Sequence, residues 1–217
     1  RFYNTEFSEK TLMKSILDEI FHHSFITKKS KNTNDDKEPD YYVRHNNRVY
    51  LFENKDVLID KKVKVSGDIL KIDKVLKERF LKSNKKAVGI GQLINSIEKI
   101  VDKTFEYDDY VNSKNNIKIY PILIVSDRIF DTIGINYKLN EWYLESIKII
   151  MGDRYNASLI KNLTIIDIDT LIYWKPHLCK NINNFRKILD DHLKQITKKK
   201  IVNGQNYEIS KKQFLKN

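Results

Sequence analysis

The sequence predicts a mixed α/β domain, a sheet flanked by helices, and three observations lead there. Apolar residues recur at helical spacing in five segments, and a strand-turn-strand signature surrounds Asn46-Asn47. Two apolar runs rich in β-branched residues, 117–126 and 163–167, have the character of buried central strands. No internal repeat or linker divides the 217 residues. A single domain over 1–217 is therefore expected, with its core over about 5–170 and a helical extension over about 170–217.

The elements follow in order. A first helix is expected over 8–24, with Ser8 as N-cap and Leu12, Met13, Ile16, Leu17 and Ile20 on one face. Residues 27–37 hold no apolar side chain and are expected to form a loop. Strands over 40–44 and 49–55 flank Asn46-Asn47, because Asn tolerates the left-handed backbone of a tight hairpin turn. Helices are expected over 68–82, with Ile69, Ile72, Leu76 and Phe80 on one face, and over 91–105. The strand at 117–126, a helix at 139–151, the strand at 163–167 and a basic amphipathic helix at 183–197 complete the order, and the remainder reads as a solvated tail.

Composition removes several classes. Hydrophobic residues at 41% and aromatics at 11% supply a core, which excludes wholesale disorder. Six Gly and three Pro exclude fibrous classes, and the run at 117–125 is too short and too interrupted to span a bilayer. One Cys and no charged-then-apolar leader fit a soluble, cytoplasmic protein. A net charge of +11 attracts polyanions, nucleic acid first, although a Lys-, Asn- and Ile-rich composition produces the same charge without any ligand.

The hairpin carries the chemistry. With Asn46-Asn47 as the turn, Asp40 stands directly opposite Glu53, and Lys55 lies on the same face two residues on. Opposed carboxylates repel unless a cation sits between them. Mg²⁺ or Mn²⁺ would relieve that repulsion, and a salt bridge of Lys55 with two acids at a sheet rim would relieve it as well. On the first helix, Glu9 falls in the middle of the apolar stripe, where a carboxylate is expensive unless paired or metal-bound. A frayed first turn with Glu9 near solvent is the alternative.

Pro39-Asp40, twelve intervening residues and Glu53-Asn54-Lys55 resemble the PD-(D/E)xK motif of the restriction-endonuclease-like nuclease superfamily. Glu9 matches the acidic residue that many members carry on the first helix. Gln92 resembles the Gln that RecB-like members place on the helix after the ExK strand, while Ile97 stands where those members carry an aromatic. The resemblance covers residues 5–130 and implies an α-β-β-β-α-β core and metal-dependent hydrolysis of phosphodiester bonds, DNA first. It implies Mg²⁺ or Mn²⁺ held by Asp40, Glu53, Glu9 and the carbonyl of Asn54, with Lys55 orienting the attacking water and Gln92 positioning water or backbone. A non-catalytic nucleic-acid-binding or protein-interaction module of the same fold is the other function that fits.

Lys194, Lys198, Lys199 and Lys200 are the expected phosphate contacts, their alternative being a solvated face. The implied partners are nucleic acid and no membrane, with a second copy or further domains of a longer chain left open. Other motifs are set aside. Gly89-Ile90-Gly91 lacks the third glycine of a dinucleotide fingerprint, Asp169 is expected to cap a turn at 170–174, and His22-His23 end a helix. Cys179 near His177 lacks the groups a thiol nucleophile needs, and Trp142, Tyr143 and Trp174 are expected in the core.

Overall fold

The computed structural model describes residues 11–21, 25–29, 38–57, 59–83, 86–127, 130, 134–196, 199–202 and 205–208. Five strands form one mixed sheet in sequential order, β1 (Ile26–Lys29), β2 (Tyr41–His45), β3 (Arg48–Lys55), β6 (Lys118–Val125) and β7 (Thr164–Asp167). The first three are antiparallel neighbours, and β3, β6 and β7 run parallel. Period-2 alternation sends Tyr42, Val49 and Leu51 to one face, where α3 (Ile69–Phe80), α4 (Ile90–Val101) and α6 (Ile135–Met151) cover them. Tyr41, Val43, Tyr50 and Phe52 go to the other face, under α1 (Met13–Ile20), α7 (Ile168–Asn181) and α8 (Phe185–Ile196). The architecture is α/β, a mixed five-stranded sheet between two helical layers.

The turn carries the register. Asn46 adopts φ 54°, and the β2–β3 ladder runs from Tyr41 opposite Phe52 to His45 opposite Arg48, the pairing the two-residue turn predicts. Asp68 caps α3 by accepting from the Lys71 amide, as its position before the apolar stripe implies. Trp142 and Tyr143 are in the core.

Several expectations are corrected. The stretch expected as a loop from 27 begins as strand β1, which is mostly exposed and needs no apolar face because it pairs with β2 through its backbone. The turn at 170–174 is part of the fourteen-residue α7, and its N-cap is Asp167, which accepts from the amides of Asp169 and Thr170. Pro176 inside that helix obscured its length in the sequence. Trp174 is half exposed instead of buried. The segment expected as a tail contains a hairpin, β8 (Lys199–Val202) with β9 (Gln205–Glu208). Short elements unread in the sequence are α2 (Lys61–Lys64), α5 (Asp109–Asn112) and the two-residue strands β4 (Lys82–Ser83) and β5 (Lys86–Ala87).

The helices beyond 170 lie on the sheet itself, with Leu171, Leu178, Phe185 and Leu189 packed against its α1 face. Strand β7 ends the sheet, and its outward backbone is protected from further pairing by asparagines of α6. Asn140 accepts from the Leu163 amide, while Asn136 accepts from Ile165 and donates to the Leu163 carbonyl. Among the described residues no helix is long and apolar enough to cross a membrane.

Candidate functional site

Strand periodicity puts Glu53 and Lys55 on the α4 face with Val49 and Leu51, and Asn54 on the other. Asp40 immediately precedes β2 and continues its ladder to the position opposite Glu53. Its Oδ2 accepts from the Asn54 amide at 2.8 Å, which ties the carboxylate to β3 where the regular pairing stops. Glu53 is fully buried, and Lys55 Nζ stands 2.9 Å from its Oε1. Among the described residues neither Glu53 oxygen makes a hydrogen bond of good geometry, and only Lys55 and the Asp40 backbone stand close enough to offset its charge, which leaves the carboxylate undersolvated. Burial pushes its carboxyl up to about 8, and the Asp40 charge pushes the same way against the opposing pull of Lys55.

The N-terminus of α4 is folded over this group. Gly89, the N-cap, adopts φ 52°, and a Cβ there would lie 3.2 Å from Lys55 Cγ and 3.2 Å from the Phe80 carbonyl. Only a glycine lets the backbone turn and press on the Lys55 stem at that distance. Gln92 Oε1 accepts from the Gly89 amide at 2.9 Å, which is half of a capping box since glycine has no side chain to complete it. Gly91 also serves packing, for a Cβ there would stand 2.4 Å from the Leu81 carbonyl. The glycines that resembled a fragment of a dinucleotide fingerprint are therefore contact points between α4 and its neighbours.

The remaining expected site residues divide. Glu9, Lys198, His22 and His23 lie outside the described residues. The described part of the first helix packs on the Asn54 face of the sheet. Asn54 is buried beside Glu53 along the strand. Lys194 lies on α8, which packs on the sheet face opposite Glu53, and pairs with Asp191 at 3.0 Å. Lys199 and Lys200 belong to β8. Cys179 Sγ contacts the Glu19 carbonyl at 3.3 Å.

Two further carboxylates lie where the parallel strands end. Asp56 follows β3 and Asp127 follows β6, and burial together with the Asp127 charge raises the Asp56 carboxyl above its ordinary value. Nothing in a strand-by-strand reading paired them, because the β3–β6 register emerges only once the helices between them are folded. Among the described residues no three His, Cys, Asp or Glu side chains converge on one ion. The hairpin thus offers two carboxylates and a lysine. That set fits a small hard cation which keeps much of its water, and the undersolvated Glu53 carboxylate is the feature such an ion would satisfy. Compared with known proteins, the chain matches no family model, no curated protein and no solved structure.

Proposed function

We propose that this chain is a metal-dependent nuclease acting on phosphodiester bonds, DNA first, of the restriction-endonuclease-like kind that Pro39-Asp40 and Glu53-Asn54-Lys55 resemble. The observation that carries the reading is the fully buried Glu53 carboxylate, paired at one oxygen with Lys55 and lying on the strand opposite Asp40. Burying an ion this way costs several kcal/mol even after relaxation, a cost a site built for a cation recovers on binding. The order of helix, three antiparallel strands, helices and a parallel strand also agrees with the α-β-β-β-α-β core that the resemblance implies.

Asp40 and Glu53 would hold Mg²⁺ or Mn²⁺, with the Asn54 carbonyl as a further ligand. The ion, when bound, lowers the pKa of its water and offsets charge on the phosphoryl oxygens. The protein's own part is positional. The Asn54 amide fixes the Asp40 rotamer through one oxygen. Gly89, held by Gln92, presses the Lys55 stem against β3 and keeps Nζ beside Glu53. From there Lys55 donates to the attacking water and balances charge as the phosphorus becomes pentavalent. Gln92 then acts through Gly89 and Lys55, as a positioning residue.

Metal-dependent cleavage and metal-dependent melting together test the assignment. Wild type should cut DNA in Mg²⁺ or Mn²⁺, lose that activity in EDTA, and melt higher with Mn²⁺ than without. Lys55→Ala should abolish cleavage while keeping the Mn²⁺ shift in Tm, because Lys55 does not hold the ion. Glu53→Gln should lose both. A wild type that cuts no DNA or RNA and shows no Mn²⁺ shift would reject catalysis and leave a binding module of the same architecture.

A further inference from the structure

The far end of the sheet carries a second charged feature, built from cations. On adjacent parallel strands Arg48 and Lys118 are direct partners and share the face covered by α8. Like charges placed side by side on neighbouring strands repel. The Arg48 Nε–H is buried and has no hydrogen-bond partner among the described residues. At Lys118 lies a cavity of about 350 Å³, open to solvent, whose walls also include Lys161, Arg186 and Lys194. Its wall carboxylate, Asp190, is already engaged. Oδ2 takes Arg186 at 2.9 Å and Oδ1 accepts from the Tyr120 hydroxyl at 3.2 Å. Lys194 pairs with Asp191 at 3.0 Å, but that pair is largely exposed and exchanges readily with another anion. Four cations against two carboxylates leave the cavity positive.

We propose that this cavity is a phosphate-binding site distinct from the candidate catalytic site. Repulsion among the cations at the wall and a positive concavity share one remedy, a multivalent oxyanion. Phosphate fits best. It accepts from a guanidinium and several ammonium groups at once, and the opening of the cavity to solvent leaves room for whatever the phosphate is attached to. The site lies on the opposite sheet face from Glu53 and five residues back along β3, about 17 Å away at strand rise. A phosphate seated here is therefore not the one being cleaved. It is either a terminal or free phosphate, as on a nucleotide or a phosphorylated strand end, or an internal phosphate of a nucleic acid that continues across the molecule.

The two sources are separated by binding at fixed ionic strength. The probes are inorganic phosphate, AMP and a duplex without terminal phosphates, measured by calorimetry and thermal shift. The proteins are wild type, Lys118→Gln/Lys161→Gln, and Lys71→Gln/Lys99→Gln as a charge-matched variant elsewhere on the surface. Wild type should melt higher in phosphate than in chloride, and the cavity variant should bind about tenfold more weakly while the charge-matched variant stays near wild type. Phosphate and AMP behaving this way assign a terminal or free phosphate. A loss confined to the duplex assigns an internal one. Equal losses in both double variants, or no difference between phosphate and chloride in wild type together with unchanged duplex affinity, would overturn the site. Glu53→Gln should leave phosphate binding intact, so that a failed nuclease assignment and a failed phosphate site remain separately visible.

Discussion

A carboxyl group pushed up to about 8 inside a strand makes Glu53 the residue whose chemistry is easiest to measure. Its folded value lies above its unfolded value of 4.5, so the folded state binds the proton more tightly. The stability it contributes is fully present below about pH 4.5 and is lost as pH rises through the folded value near 8. Without divalent metal, the free energy of unfolding should therefore fall between pH 5 and pH 8.5 by an amount on the order of a few kcal/mol. Glu53→Gln should flatten that slope, since the amide neither titrates nor repels Asp40, and should melt above wild type at pH 8.5. Mn²⁺ should act in the reverse sense, because it binds the ionised form and its stabilisation grows with pH. Urea melts at four pH values, with and without Mn²⁺, measure all of this. A wild-type profile that is flat, or that rises over this range, would show Glu53 ionised at little cost and would remove the main support for a cation site.

One element, the first turn of α4, links the fold to the site. Its cap satisfies the Gly89 amide through Gln92, and Gly89 rests on the Lys55 stem. Gln92→Ala should cost about 1 kcal/mol, the usual value of a lost cap, and should lower kcat more than KM because Lys55 loses its backing. Gln92→Glu keeps an acceptor oxygen and should recover most of both effects, while the Mn²⁺ shift in Tm stays unchanged in either variant. Loss of stability with kcat unchanged would reduce Gln92 to a cap and nothing more. How far such elements were readable follows the range of their interactions. The Asn46-Asn47 turn fixes its register locally, so Asp40 opposite Glu53 and Lys55 on the same face could be read from residue spacing alone. The capped helix α3 and the strands at β6 and β7 were legible for the same reason. Strand β1 was not, because an edge strand held by backbone pairing carries no apolar pattern. Helix α7 was hidden by Pro176 and by exposed Ile172, Tyr173 and Trp174, which blur its amphipathic stripe. Arg48 beside Lys118 was out of reach too, since 70 residues separate partners that only the parallel β3–β6 pairing brings together.

The whole molecule carries 40 Lys and Arg against 29 Asp and Glu, and the fold does not cancel that excess evenly. On α4 and the turn after α6, Arg154 is consumed by Asp102 and Glu98. Near β2, Arg44 is consumed by the buried Asp108, which also accepts from the Tyr42 hydroxyl. Around the far end of β6, Lys118 and Lys161 face the cavity without carboxylate partners of their own among the ion pairs described. A charge excess that merely follows composition would be spread and solvated, and would bind polyanions weakly and with shallow salt dependence. A footprint shaped for nucleic acid releases several counterions at once. The two cases differ in the slope of log K against log salt for a duplex measured in EDTA, where no cleavage competes. Neutralising five or six phosphates gives a slope near −5, roughly a 10³-fold loss of affinity from 50 to 200 mM salt. Lys55→Ala and Glu53→Gln should each change that slope by no more than about one, because the hairpin meets a single phosphate. Lys118→Gln/Lys161→Gln should flatten it by one to two, each lost contact removing about one released ion. A wild-type slope shallower than about −2 would assign the positive charge to composition, and an active nuclease would then have to hold its substrate almost wholly through the metal and the hairpin.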